Sequence, residues 1–266
     1  MIRSMHTIRP ILALAGRDLR RFFRQPSRIV GSAAQPLILW VVLGAGLGGS
    51  FRPNLAAGGA GVGYLQYFYP GVVVLTLLFT AIFSTISVIE DRHHGFLQAV
   101  LAAPVSRASL VLGKTLGGVA IASVQAGILL ALAPLAGFHA AEMNWPLLAL
   151  AVPLSALVFT ALGFAMAWWI DSTQGYHAVM SVALIPLWML SGAMFPPSGD
   201  SRWIATLMAI DPMTYTVSAI RRGFHGASMP AALVPGHGGA ATDLALIALA
   251  ALVTLSAAVA LCRRRA

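Results

Sequence analysis

Six long apolar stretches constrain this chain more than any other feature of its sequence. They occupy residues 29–49, 67–89, 110–137, 145–170, 176–195 and 244–261. None of them contains an aspartate or glutamate, and Lys114 is the one lysine or arginine among them. Because about 20 helical residues cross a bilayer core about 30 Å thick, each stretch is long enough for a membrane span. We therefore predict an all-α polytopic membrane protein, with six transmembrane helices in a single transmembrane domain over residues 1–266.

Composition excludes the water-soluble classes. Charged residues make up 9% of the chain, whereas a soluble domain averages roughly 25%. The single cysteine, Cys262, excludes an internal disulfide framework. A net charge of +9 would suggest nucleic acid as the partner of a soluble chain, but in a membrane protein such an excess usually reflects topology. We therefore expect no nucleic-acid partner.

The positions of the lysines and arginines predict the orientation of the spans. Thirteen of them lie before the first stretch, around the second-to-third loop or after the last stretch, and four lie on the other side. Cytoplasmic loops carry the excess of these residues. Both termini are therefore predicted to be cytoplasmic, while residues 51–66 and a helical segment over 196–240 are external. Arg221 and Arg222 in that segment are expected at the depth of the outer headgroups.

Residues 7–28 predict an amphipathic helix rather than a span. At about 100° per residue, Arg17, Arg20, Arg21 and Arg24 share one face, and apolar side chains such as Leu12 share the opposite face. A basic amphipathic helix of this kind lies in the headgroup plane, in contact with membrane lipid. Two interpretations stay open, since this helix either anchors the topology only or also contacts a cytoplasmic partner.

The loop after the second stretch predicts a short cytoplasmic helix over residues 91–103. Phe96, Leu97, Val100 and Leu101 recur there at helical spacing, and Pro104 stops the pattern. Two spans can be joined without an apolar helix. This segment therefore favours a surface for a partner over a plain connector.

Two motifs resemble the membrane-spanning subunits of ABC transporters of the ABC-2 type. The first comprises Glu90, Gly95, Phe96-Leu97, residues 103–107 (APVSR) and residues 112–114 (LGK). The second comprises residues 190–192 (LSG), Phe195-Pro196, residues 211–215 (DPMTY) and Arg221. The sequence departs from the family pattern at Gln98, where the family often has glutamate, and at Asp211, where it has asparagine.

The resemblance implies a mechanism. Such subunits pair with a second permease copy, in the bacterial cytoplasmic membrane, and recruit a separately encoded ABC ATPase. ATP and Mg²⁺ then bind to that partner, and this chain needs no cofactor and is not an enzyme. The resemblance further implies export of an amphiphilic substrate, such as a drug, a lipid or a glycan.

The resemblance also implies the residues of the ATPase-coupling interface. The helix after the second span, the coupling helix, would sit in a cleft of the ATPase and transmit its closure to the spans. Phe96, Leu97 and Leu101 would fill that cleft, with polar residues at its rim. The expected interface comprises Glu90, Asp91, Arg92, His93, His94, Gly95, Phe96, Leu97, Gln98, Leu101 and Pro104.

Other chemistry receives little support from the sequence. Residues 108–115 (ASLVLGKT) fit the loosest phosphate-loop pattern but lack its flexible glycines, so Lys114 is expected to reach the inner interface instead. Neighbouring His93 and His94 point to different faces of a helix, which disfavours a shared metal. For Asp171, a helix cap and a second ATPase contact both stay open.

The competing class is an ion-coupled secondary transporter or a channel. Such proteins normally carry ionisable residues at mid-membrane depth. The six stretches contain none at that depth. Energy input from a partner ATPase is therefore the simpler interpretation.

Overall fold

The computed structural model describes residues 2–47, 63–103, 105–194, 202–226 and 238–264, and all regular secondary structure in these ranges is helical. The all-α prediction is therefore confirmed. In chain order the helices are α1 (Ile2–Phe23), α2 (Pro26–Leu47), α3 (Tyr64–His93), α4 (Phe96–Ala102), α5 (Arg107–Leu132), α6 (Trp145–Trp169), α7 (Thr173–Leu190), α8 (Arg202–Ile210), α9 (Pro212–His225) and α10 (Ala240–Arg264). A 3-10 turn, Ala133–Ala136, extends α5.

Five helical segments in the described ranges are long and apolar enough to cross a membrane. They are Ile29–Gly46, Tyr64–His93, Arg107–Ala136, Trp145–Trp169 and Ala240–Arg264. The predicted stretch 176–195 corresponds largely to α7, which is 18 residues long and is not one of the five. Its first turns carry Gln174 and His177, which lower its mean hydropathy.

Helix α3 forms the centre of the bundle. It packs against α2, α5, α6 and α9, and 83% of the residues in its most apolar 18-residue segment are buried. In the corresponding segments of α2 and α10 only 12% and 17% of the residues are buried, so these two helices lie at the periphery of the bundle. Small residues allow the central helices to approach closely, since a Cβ atom at Gly118 of α5 would lie 2.5 Å from the Ser84 hydroxyl of α3.

Helix α1 packs along the beginning of α5. A Cβ atom at Gly113 would lie 2.9 Å from the Leu14 Cβ atom, and one at Gly117 would lie 3.3 Å from the Ala15 Cα atom. The glycines, four residues apart on one face of α5, therefore let the two backbones come close. The amphipathic pattern alone did not reveal this contact with a span.

Several predicted features lie outside the described residues. These are Pro104, Phe195 and Pro196, together with the last two residues of the first apolar stretch (48–49), most of 51–66 and parts of the external segment over 196–240. The described part of that segment contains α8 and α9.

Candidate functional site

The predicted coupling region begins later than expected, because α3 continues through His93. The backbone of residues 91–93 forms the last turn of α3, and α4 begins at Phe96. Gly95 connects the two helices in the left-handed conformation, with φ of 74°. Glycine adopts this conformation without the steric cost that a Cβ atom imposes. The first motif's glycine therefore creates the turn that directs α4 away from α3.

Lys114 lies inside the protein and not at its surface. Its side chain is 2% exposed, and its ammonium nitrogen lies 2.5 Å from Asp91 Oδ2 and 3.0 Å from Asp18 Oδ2. It also donates to the Ser87 hydroxyl at 3.3 Å. The expectation that Lys114 reaches the inner interface is therefore wrong. The phosphate-loop interpretation loses its lysine as well, since this ammonium group is already held by two buried carboxylates.

Two arginines of α1 extend this arrangement. Arg17 forms an ion pair with Asp91, and Arg21 Nη2 lies 2.7 Å from Glu90 Oε2. We call the resulting group of three cations and three carboxylates the inner ion cluster; it consists of Arg17, Asp18, Arg21, Glu90, Asp91 and Lys114. Because the charges are matched, each buried ion has a partner that offsets its desolvation.

The inner ion cluster also reaches α4 through Arg17. The guanidinium carbon of Arg17 lies 3.7 Å from the centre of the Phe96 ring, a cation–π contact. One side chain of α1 therefore contacts both the last turn of α3, through Asp91, and the first residue of α4. Glu90 and Asp91, which were expected at the rim of an ATPase cleft, here bind their own chain.

Arg92 and His93 contact the loop between α6 and α7. Arg92 forms an ion pair with Asp171 and donates to the Trp168 carbonyl at 3.0 Å, and the His93 ring donates to the Asp171 carbonyl at 2.9 Å. Asp171 does not cap a helix, because the Ser172 hydroxyl accepts from the Gly175 amide at 3.1 Å at the start of α7. The cap interpretation of Asp171 is therefore wrong.

His94 donates to the Glu90 carbonyl at 2.7 Å. In the part of the chain that the structure describes, no three histidine, cysteine, aspartate or glutamate side chains are grouped as metal ligands would be.

Helix α4 turns one apolar side chain inward and its small and polar residues outward. Leu97 is 3% exposed and packs in the main apolar core, while Phe96 and Leu101 are half-buried. In this conformation Leu97 therefore supports α4 from inside and cannot itself fill a cleft of a partner. The surface that α4 presents outward comprises Gln98, Ala99 and Ala102, with His93 and His94 beside it.

A groove of about 460 Å³ runs beside this outward surface. Arg92, Leu97, Gln98, Leu101, Trp168 and Asp171 line it. The groove lies between α4 and the end of α6. The loop after α3 and the loop after α6, which the sequence predicts to be cytoplasmic, therefore lie next to each other. Asp171 thereby lies next to the predicted interface, and its assignment as a second ATPase contact stays a prediction.

The arginines of the external segment differ from expectation. Arg221 is fully buried, its guanidinium carbon lies 4.2 Å from the centre of the Tyr67 ring, and it donates to the Gly192 carbonyl at 3.1 Å. Arg222 lies 3.0 Å from the Asp243 carboxylate. Both side chains therefore bind their own chain, and Arg221 is not exposed to lipid headgroups. The depth of the two arginines in the membrane stays a prediction.

Two titratable groups flank α9. Asp211 caps this helix by accepting from the Met213 amide at 2.9 Å, as asparagine would, so the departure from the family pattern preserves the cap. Burial raises the pKa of Asp211 to about 7, against the opposing effect of the Met213 hydrogen bond. At the other end, burial and then the positive charge of Arg221 lower the pKa of His225 to about 4.

Asp18 is the member of the inner ion cluster that the sequence reasoning missed. It is the only acidic residue in the first 89 positions. A lone aspartate among the arginines of α1 predicts ion pairs within that helix, and nothing in the sequence pairs it with Lys114, 96 positions away.

The fold and site define a class of protein: a helical membrane protein with several spans and a short helix connecting two of them. Residues 9–225 match the family described as ABC-2 type transporter, and the chain belongs to this family. It is therefore the membrane-spanning permease subunit of an ABC exporter, and in this family ATP hydrolysis takes place on separate subunits. This membership argues against the alternative of an ion-coupled secondary transporter or channel.

Three curated relatives illustrate the similarity. A protein of Porphyra purpurea named as a transport permease, ycf38, is 26% identical over 222 residues, which cover 83% of this chain and 75% of the relative. The daunorubicin resistance ABC transporter permease protein DrrB1 of Streptomyces coeruleorubidus is 24% identical, covering 79% and 73%. Nodulation protein J of Neorhizobium galegae is 25% identical, covering 77% of each chain.

Proposed function

We propose that two copies of this chain assemble with a separate ABC ATPase in the bacterial cytoplasmic membrane and export an amphiphilic substrate. A relative named for daunorubicin resistance supports an amphiphilic drug as one substrate class. The apolar character of the spans supports the same class, since 58% of the residues are hydrophobic.

In this proposal the chain crosses the membrane six times and α7 provides the fifth span. Its 18 residues rise about 27 Å, which approaches the thickness of the hydrocarbon core. The lysine and arginine distribution then leaves both termini, α1 and α4 at the cytoplasmic side. The external segment, with α8 and α9, follows α7 on the other side.

We further propose that α4 is the coupling helix and that its outward surface, with Gln98, Ala99 and Ala102, contacts the ATPase. The observation that carries this proposal is the position of Arg17, which bonds to Asp91 and stacks on Phe96. A displacement of α4 would therefore act on the end of α3 and on α1 together. Lys114 would pass the same displacement to α5.

A bulky substitution on the outward surface of α4 tests this assignment. Ala99 is exposed, so Ala99→Trp should leave the fold intact while it prevents close contact with an ATPase cleft. The expected result is that the ATPase dissociates or that it stays bound while ATP-dependent transport falls at least tenfold. Ala141→Trp, at an exposed position in the loop before α6, is the matched control and should transport normally. Normal transport by Ala99→Trp in an intact complex would contradict the proposal.

A further inference from the structure

A groove between α5 and α10 combines an apolar wall with arginines at one end. It measures about 490 Å³ and is lined by Leu112, Leu255, Ser256, Val259, Ala260, Arg263 and Arg264. Leu112, Leu255 and Val259 are half-buried and form the wall. From Leu255 to Arg263 the helix axis rises about 12 Å. The groove is therefore an extended apolar surface that ends at two exposed cationic side chains.

Arg107 adds a third cation at the same end. Its guanidinium lies beside the Cys262 side chain, within hydrogen-bonding reach. Its Nη1 atom is buried and has no hydrogen-bond partner in the structure. The positive charge of Arg107 therefore adds to that of Arg263 and Arg264 at this end of the groove.

The charge at this end of the groove is not neutralised by the protein. The ion pairs of the described residues involve neither Arg107 nor Arg263 nor Arg264. The inner ion cluster, in contrast, matches every cation with a carboxylate. Two unmatched arginines at the end of an apolar wall, with Arg107 nearby, complement one kind of ligand, an acyl chain that carries an anionic headgroup.

We propose that this groove, the α5–α10 groove, binds an anionic phospholipid. Its acyl chain packs on Leu112, Leu255 and Val259, and its phosphate accepts hydrogen bonds from Arg263 and Arg264, with the positive charge of Arg107 close to them. Basic pockets between transmembrane helices on the cytoplasmic side bind anionic headgroups in the same way. Only the assignment to the inner leaflet rests on the proposed orientation. The groove shares no lining residue with the groove beside α4, and a lipid bound there links the beginning of α5 to the end of α10.

Native mass spectrometry of the purified full-length chain tests the proposal. The probes are phosphatidylglycerol and phosphatidylcholine with identical acyl chains, and the variant is Arg263→Gln combined with Arg264→Gln. We expect the parent to retain phosphatidylglycerol preferentially. The variant should lose about fivefold in affinity for each arginine removed.

The control removes the same charge elsewhere. Arg20 and Arg24 of α1 are exposed and form no ion pair with another described residue, so Arg20→Gln with Arg24→Gln is the matched pair. This control should keep the affinity for phosphatidylglycerol. Equal losses in both double variants would overturn the proposal in favour of diffuse electrostatic attraction, and an unchanged affinity in the Arg263/Arg264 variant would overturn it outright.

Two further arms separate the lipid from other occupants. Ser256→Trp fills the groove without a change of charge and should reduce phosphatidylglycerol binding at least fivefold, whereas sn-glycerol 3-phosphate at millimolar concentration should not displace the lipid. Displacement by the soluble headgroup would show a phosphate site without an acyl groove. If Ser256→Trp instead dissociated a dimer and left lipid binding unchanged, the groove would be an interface between two copies. Either result would overturn the proposal.

Discussion

The ammonium nitrogen of Lys114 lies 2.5 Å from Asp91 Oδ2, and both side chains are almost completely buried. This ion pair joins the beginning of α5 to the last turn of α3, directly before the turn into α4. Asp18 of α1 lies 3.0 Å from the same ammonium nitrogen. Three helices thereby meet at one buried cation, immediately behind the proposed coupling helix.

Removing either partner of this ion pair should destabilise the protein, and removing both should cost less than the two single losses together. Lys114→Met leaves Asp91 with Arg17 as its partner, and Asp91→Asn leaves Lys114 with Asp18. Each single variant should therefore cost less than the about 3–5 kcal/mol of a buried charge left without any partner. The double variant should lose less than the sum of the two single losses, with a coupling of about 0.5–3 kcal/mol. Thermal unfolding in detergent, followed by tryptophan fluorescence, measures these differences. Additive losses would mean that the two side chains do not interact.

The same lysine variant separates this account from the phosphate-loop interpretation. Lys114→Met should leave the nucleotide affinity of the complex with its ATPase unchanged, because the ammonium group is held by Asp18 and Asp91. Equilibrium binding of a fluorescent nucleotide analogue checks this. A marked loss of affinity in folded, assembled complex would restore the phosphate-loop interpretation.

Gly95→Ala should impair coupling through the backbone. A side chain at a φ of 74° costs about 1–2 kcal/mol, and relief of that strain would rotate α4 away from Arg17. Transport per assembled complex should therefore fall in Gly95→Ala. Transport should fall less in Gly95→Asn, because asparagine tolerates this conformation better. Gly127→Ala, at a helical glycine with open space around it, is the control and should be neutral or slightly stabilising. Equal transport by the Gly95→Ala and Gly127→Ala variants would exclude a role for the turn.

Stability should depend on pH through the two ends of α9. The pKa of Asp211 rises from 3.8 to about 7 on folding, so the folded state binds more protons and the free energy of unfolding falls as pH rises through that range. The pKa of His225 falls from 6.5 to about 4, so its contribution acts oppositely, and stability falls as pH drops through that range. Asp211→Asn keeps the cap and should leave only the histidine effect, so that its melting temperature rises from pH 4 to 6.5. A variant that instead lost stability over this interval would contradict the assignment.

Five of the six predicted spans correspond to helices long and apolar enough to cross a membrane, whereas the contacts between the helices could not be predicted. Long apolar stretches must form helices in a bilayer, because backbone polar groups there have no other partners. The pairing of Lys114 with Asp18 spans 96 positions of sequence, and no local pattern reports it. Periodicity predicted a helix around Phe96. It could not show which side chain faces inward, because Leu97 and Leu101 are both apolar and only tertiary packing places Leu97 in the core. We expected this helix to begin at residue 91 because the second apolar stretch ends at residue 89. In the structure α3 continues through His93, and the turn comes at Gly95.

Cysteine labelling should establish the orientation. In a Cys262→Ser background, a membrane-impermeant maleimide applied to intact cells should label Ala141→Cys and should not label Gln98→Cys. Both positions are exposed in the structure, so a difference in labelling reports the side of the membrane. Permeabilised cells should label both variants equally. Labelling of position 98 from outside would invert the proposed topology.

Cross-linking from position 98 tests the contact between α4 and the ATPase most directly. A photoreactive maleimide attached to Gln98→Cys, in the Cys262→Ser background, should cross-link the ATPase subunit in membranes, and the same reagent at Ala141→Cys should not. Co-purification of the ATPase with both variants shows that the complexes are intact. We predict a specific cross-linked product from position 98 alone. Its absence from an intact, transporting complex would contradict the assignment of α4 as the coupling helix.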